Sequence, residues 1–193
     1  MPHSPAIVVN TLTRSFAIGI SAGMRTMMPG AVVTWQIADG GLKRGAGPVW
    51  SFLRRDGTRK VALVTAVGEL VGDKLPITPS RIEGNAGRGR LVIGAMMGGL
   101  VASGLGARSG GLVIAVATGA LGGAVGSYGG FYARKAIVKQ YSLPDLPVAL
   151  VEDAFSYALA RLAVAQKIQA VRVTRRLRHE QSSVDREDVP GDE

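Results

Sequence analysis

Five stretches of this chain stay apolar for longer than the core helix of a small globular domain requires: 15–37, 61–75, 91–107, 110–133 and 147–171. Several reach the ~20 residues that a helix needs to cross a ~30 Å hydrocarbon layer. Sustained runs of this kind predict an all-α fold, a polytopic membrane helix bundle of about five hydrophobic segments. Composition points the same way. With 47% hydrophobic, 19% charged and 5% aromatic residues, the chain carries less charge and fewer rings than a soluble domain of its size.

A net charge of +9 would suit a nucleic-acid binder. Yet the basic residues fall between apolar runs, as at Lys43, Arg44, Arg54, Arg55, Arg59 and Lys60. Anionic headgroups and the positive-inside bias place them there. The expected partners are therefore membrane lipids, anionic headgroups included, and not nucleic acid. Cysteine is absent, which excludes disulfides, thiolate nucleophiles and zinc–cysteine sites. The N-terminus lacks a basic start before its apolar stretch and reads as a retained first helix. The expected organisation is an N-terminal segment over 1–14, a transmembrane domain over 15–171 and a basic-then-acidic cytoplasmic tail over 172–193. Basic flanks place the C-terminus inside and, for five spans, the N-terminus outside.

Each apolar run carries something that lipid alone would not favour. The first holds Arg25, with Pro29 four residues on, so a break or kink is expected there. The second is short and places Glu69 and Asp73 at i and i+4, on one helical face. Lys74 follows, and Pro76 and Pro79 end the run. Two stacked carboxylates call for a cation opposite, and Arg25 is the expected one. Arg81 lies in the Pro/Gly loop that follows. The fifth run carries Glu152 and Asp153, with Asp153, Tyr157 and Arg161 spaced as one polar stripe, expected to face protein or a water-filled cavity.

Glycines recur at four-residue steps in runs three and four: Gly94 and Gly98, Gly119 and Gly123, then Gly126 and Gly130. Small residues at this spacing let backbones approach closely in lipid, so an antiparallel hairpin or a homo-oligomer face is expected, with a substrate or ion path along the smooth groove as the alternative. The charge order also repeats. A glycine-rich helix and Arg25 precede Glu69 and Asp73; a second such helix and Arg134 precede Glu152 and Asp153. One run lies between the copies, so the second would be inverted, as in inverted-repeat transporters.

The stretches AGMRTMMP (22–29), GELVGDKLP (68–76), PSR (79–81), RLVIGA (90–95) and ALVED (149–153) resemble the bacterial membrane family called domain of unknown function 4126, over roughly 15–165. The resemblance implies a multi-pass protein of the inner membrane whose recurrent polar residues are Arg25, Pro29, Glu69, Asp73, Lys74, Glu152 and Asp153. It implies no established activity. The chain departs from the pattern at Gly30, where a second proline is common, and over 82–87.

Catalysis has little support. His3 and His179 lie in terminal segments, away from any triad or histidine–metal arrangement, and no spacing suggests a carboxylate metal site. No catalytic residue, metal or cofactor is expected. Two classes remain: a small transporter or lipid/anion-handling protein with a polar intramembrane site, or a scaffold whose buried charges only fix helix assembly.

Overall fold

The computed structural model describes residues 5–42, 45–73, 86–142 and 144–165, and these form an all-helical bundle without strands. The elements are α1 (Pro5–Met24), α2 (Met28–Ala38), α3 (Pro48–Leu53), α4 (Asp56–Gly72), α5 (Ala86–Gly104), α6 (Ser109–Ala124), α7 (Gly130–Tyr141) and α8 (Asp145–Val164). A π-helical turn, Val125–Gly129, joins α6 to α7 without a break. Together they make the continuous helix Ser109–Tyr141, which among the described residues is the one long and apolar enough to cross a membrane. Segment 172–193 lies outside the described residues.

Contacts between helices give each its direction. α1 runs antiparallel to α8: Arg14 Nη1 donates to the Ala163 carbonyl at 3.2 Å, Ser21 Oγ lies 3.0 Å from Ser156 Oγ, and Arg25 pairs with Asp153. α2 then returns along α8, since Arg161 Nη1 donates to Gln36 Oε1 at 3.3 Å. The chain therefore reverses at residues 25–27. α4 climbs back beside α2, with the Arg59 guanidinium 5.0 Å over the Trp35 ring at one end and Glu69 against the start of α2 at the other. α5 descends, α6 climbs and α8 descends. From Ser109 at the base to Ser127 in the π turn beside the reversal, the chain rises about 27 Å at ~1.5 Å per residue.

Two expectations need correction. The first apolar run does not cross once with a kink: it folds back on itself, because Pro29 fits the first turn of a new helix and not the interior of the old one. The start of α1 and the ends of α2 and α8 thus lie at the same base, which contradicts an N-out, C-in chain of five single passes. The inverted repeat also fails. α1 and α6 are parallel, Gly19 meeting Gly119 and Gly23 meeting Gly123, whereas inversion would set them antiparallel. α1 starts at Pro5 and runs through residue 14 unbroken.

The three helices packed most closely on one another, α1, α5 and α6, are held together by small residues. A Cβ on Gly94 would stand 2.7 Å from the Gly119 carbonyl oxygen, and one on Gly98 would stand 2.8 Å from the Gly119 Cα. Gly122 and Gly126 press on the backbone of α1 from Phe16 to Ile20. Gly130 is looser: its Cβ would meet the Glu152 carboxylate at 3.2 Å. Ser15 adds a hydrogen bond to the Gly98 carbonyl at 3.0 Å. Near the base Ile18, Val33, Leu42, Val101, Val164 and Trp50 form the apolar core.

Several outer faces are apolar. Val61, Val64, Val67 and Val71 stand exposed along α4; Val113, Ile114, Leu121 and Val125 along α6 and the π turn; Val151, Phe155 and Leu162 along α8. Single exposed apolar residues are ordinary, but whole helical faces of them mark contact with a membrane or a partner.

Candidate polar site at the helix reversal

A helix that stops inside a protein leaves carbonyls without partners, and a helix that starts there leaves amides. The reversal at 25–27 creates both within three residues, and ionisable side chains meet each set. At the end of α1, Arg90 Nη1 donates to the Gly23 and Met24 carbonyls at 2.8 and 3.2 Å, and Ser127 Oγ donates to Gly23 at 3.2 Å. At the start of α2, the Thr26 and Met27 amides donate to the two Glu69 carboxylate oxygens at 2.7 and 2.8 Å. Pro29, in the first turn, has no N–H to satisfy. A cation at a helix C-terminus and an anion at an N-terminus also suit the two helix dipoles.

Arg25 stands between these ends with 0% exposure, the largest fully buried side chain among the described residues. It pairs with Asp73, at the C-cap of α4, and with Asp153, on the buried face of α8. Both carboxylates are themselves largely covered, at 13% and 11% side-chain exposure. At that burial the Coulomb attraction is weakly screened, and removing one partner would strand the other. The triad thus ties α1, α4 and α8 at one point.

The carboxylate stacking at Glu69 and Asp73 is explained differently from the expectation. Asp73 meets Arg25, but Glu69 spends both oxygens on the α2 amides. The polar stripe on α8 divides between the interior and the groove that Tyr157 and Arg161 line with α2 and α4. Asp153 is buried with Glu152 and Ser156, whereas Tyr157 and Arg161 are exposed on the flank. The inward face of α8 is Ala149, Asp153, Ser156, Ala160 and Ala163, because that row lies against α1. Lys74 and Arg81 lie outside the described residues.

Beside the triad a second ionic group joins α7 to α8. Arg134 Nε donates to Asp145 at 2.8 Å with a second guanidinium contact to the same carboxylate, and Nη1 lies 3.6 Å from Glu152. Sequence reading placed Arg134 in the repeat but missed Asp145, Arg90, Ser127, Ser21 and Ser156. Arg90 resembled an ordinary basic flank, and isolated serines in apolar helices carry no directional signal.

Two cavities open near these groups. One, of about 310 Å³, lies between α2, α4 and α8, with Met28 and Leu70 at its inner end and Trp35 and Arg161 at its mouth. The other, of about 380 Å³, lies between α1, the π turn, α7 and α8, with Arg134 and Glu152 in its wall. Comparison with known protein families, curated proteins and solved structures gives no match.

Proposed function

We propose that this chain is a small multi-pass protein of the inner membrane, of the domain of unknown function 4126 type, that transports or handles an anion or anionic lipid headgroup at the Arg25 reversal. The apolar outer faces of α4, α6 and α8 support membrane embedding. So does the place of the charges that lower the hydropathy of α8: Glu152 and Asp153 are turned inward, not toward lipid. Helix ends meeting at depth, with charged groups against their dipoles, are how membrane transporters build ion and anion sites.

The observation that carries the reading is the fully buried Arg25 between broken helix ends, held by two carboxylates that an incoming anion could replace. α4 is the element such a replacement would free. It packs mainly on α2, and its inner end is fastened by Asp73 to Arg25 and by Glu69 to the α2 amides. An anion on the guanidinium would release Asp73 and loosen that end, opening a path beside α2.

The scaffold reading has one observation of its own. Arg25 is matched by Asp73 and Asp153 together, as a structural clasp would require. Thermal unfolding of the purified full chain separates the two. With bicarbonate, phosphate, sulfate and glycerol phosphate tested in turn, the site reading expects at least one to raise Tm in the native chain. The Arg25→Lys variant, which keeps the charge but loses the guanidinium fork, should lose that response. If no anion changes Tm, and the triple replacement Arg25→Met, Asp73→Leu, Asp153→Leu unfolds or melts far lower, the clasp reading stands.

A further inference from the structure

The groove between α2, α4 and α8 has a different character from the reversal site. Its walls are apolar, from Met28 and Leu70 at the inner end to Leu63 and Trp35 at the outer. Its mouth is cationic. Arg161, in the last turn of α8, is exposed, and its hydrogen bond goes to the neutral Gln36 side chain at 3.3 Å. No carboxylate lies within ion-pair distance of Arg161 among the described residues. Trp35 is 45% exposed at the same mouth, with Arg59 stacked on its ring. The other cavity lacks this imbalance, because its Arg134 is matched by Asp145 and Glu152.

We propose that this groove holds one acyl chain of an anionic phospholipid, with the lipid phosphate on Arg161 and its glycerol end against Trp35. The assignment rests on the membrane reading above and gives the ligand class for the groove. Three features select that occupant. Arg161, Trp35 and Arg59 all lie in terminal turns of their helices at the base, where headgroups and the indole ring of a membrane-interface tryptophan sit. From Trp35 to Met28 the groove extends about 10 Å along α2, which suits a chain segment and leaves a free phosphate nothing to bind. Arg59 is paired with Asp56 at 3.2 Å, so the unmatched charge at the mouth is that of Arg161, and it favours a net-negative headgroup over a zwitterionic one, whose own cation would face it.

Trp35 is a built-in reporter, because brominated acyl chains quench a neighbouring indole. The full chain is reconstituted in mixed vesicles of phosphatidylglycerol and phosphatidylcholine, brominating one lipid and then the other. The proposal expects brominated phosphatidylglycerol to quench as if enriched about tenfold at Trp35, the equivalent of one charge-assisted hydrogen bond. Arg161→Gln should bring the ratio close to one, and Arg161→Lys should restore part of it. Val67→Trp would confuse the signal, so Val67→Met serves to fill the groove and should lower the ratio in the same way. Excess inorganic phosphate should leave it unchanged. Equal quenching by both lipids, a ratio indifferent to Arg161→Gln, or displacement by inorganic phosphate would each overturn the assignment. Arg161 lies on the flank and makes no contact with Arg25. Failure here therefore leaves the anion response at the reversal to be judged by its own Tm test, and the reverse holds.

Discussion

Replacing Asp153 by Asn, alone and with Arg25→Gln, probes the triad most finely. Asp153→Asn keeps size and shape but removes one of the two charges facing a guanidinium with 0% exposure. Asp73 still holds the other side, so the expected cost is that of one charge-assisted hydrogen bond, about 1.5–3 kcal/mol. At ~2–4 °C per kcal/mol for a chain of this size, Tm should fall by roughly 3–12 °C. Arg25→Gln is worse, because it leaves Asp73 and Asp153 together and largely buried without their cation. A loss of about 3–5 kcal/mol is expected. In the double variant one stranded carboxylate has become an amide, so the total should fall short of the sum by about 1–3 kcal/mol. The assay is thermal unfolding in detergent, followed by the fluorescence of Trp35 and the buried Trp50. The same cycle with Glu69→Gln should show clearly weaker coupling, since Glu69 is held by the Thr26 and Met27 amides. Additivity within ~0.5 kcal/mol for Arg25 and Asp153 would refute the triad.

Gly119→Ala should destabilise the bundle by about 1–3 kcal/mol through overpacking, because the new Cβ meets the Gly94 carbonyl and lies 2.9 Å from the Gly98 Cα, both backbone atoms that cannot rotate away. Gly68→Ala is the control: nothing lies within 4 Å of its Cβ, so its Tm should hold or rise slightly, as expected for alanine in a helix. Glu69→Ala should cost about 0.5–2 kcal/mol by uncapping α2, and Glu69→Gln less, since an amide oxygen still accepts one of the two N–H groups.

The parts legible in the sequence share one property: they are local. The break at Arg25 and Pro29 could be read because proline cannot sit in a helix interior, and the glycine ladder because four-residue spacing makes one smooth face. That carboxylates in apolar helices would seek Arg25 followed from the cost of leaving them in lipid. What could not be read is direction. A broken helix looks the same in sequence whether it continues or turns back, and contacts such as that of Gln36 with Arg161 are what show the turn. The parallel packing of α1 on α6 and the role of Arg90 on the α1 carbonyls depend on that turn. Glu69 was misassigned for a related reason. Until the reversal exists there are no exposed amides for its carboxylate, and Arg25 is the obvious partner.

Everything proposed for Arg25 depends on the chain reversing there, and the absence of cysteine makes this directly measurable. Two pairs are introduced separately, Arg14→Cys with Ala165→Cys and Gln36→Cys with Arg161→Cys, and treated with a short bifunctional thiol reagent in native membranes. A reversed chain sets both residue 14 and residue 36 beside the last turn of α8, so both pairs should cross-link within one chain. A first run that continued straight would separate residues 14 and 36 by about 33 Å. In that case one pair would link and the other would not, and the reversal, with the Arg25 site built on it, would be contradicted.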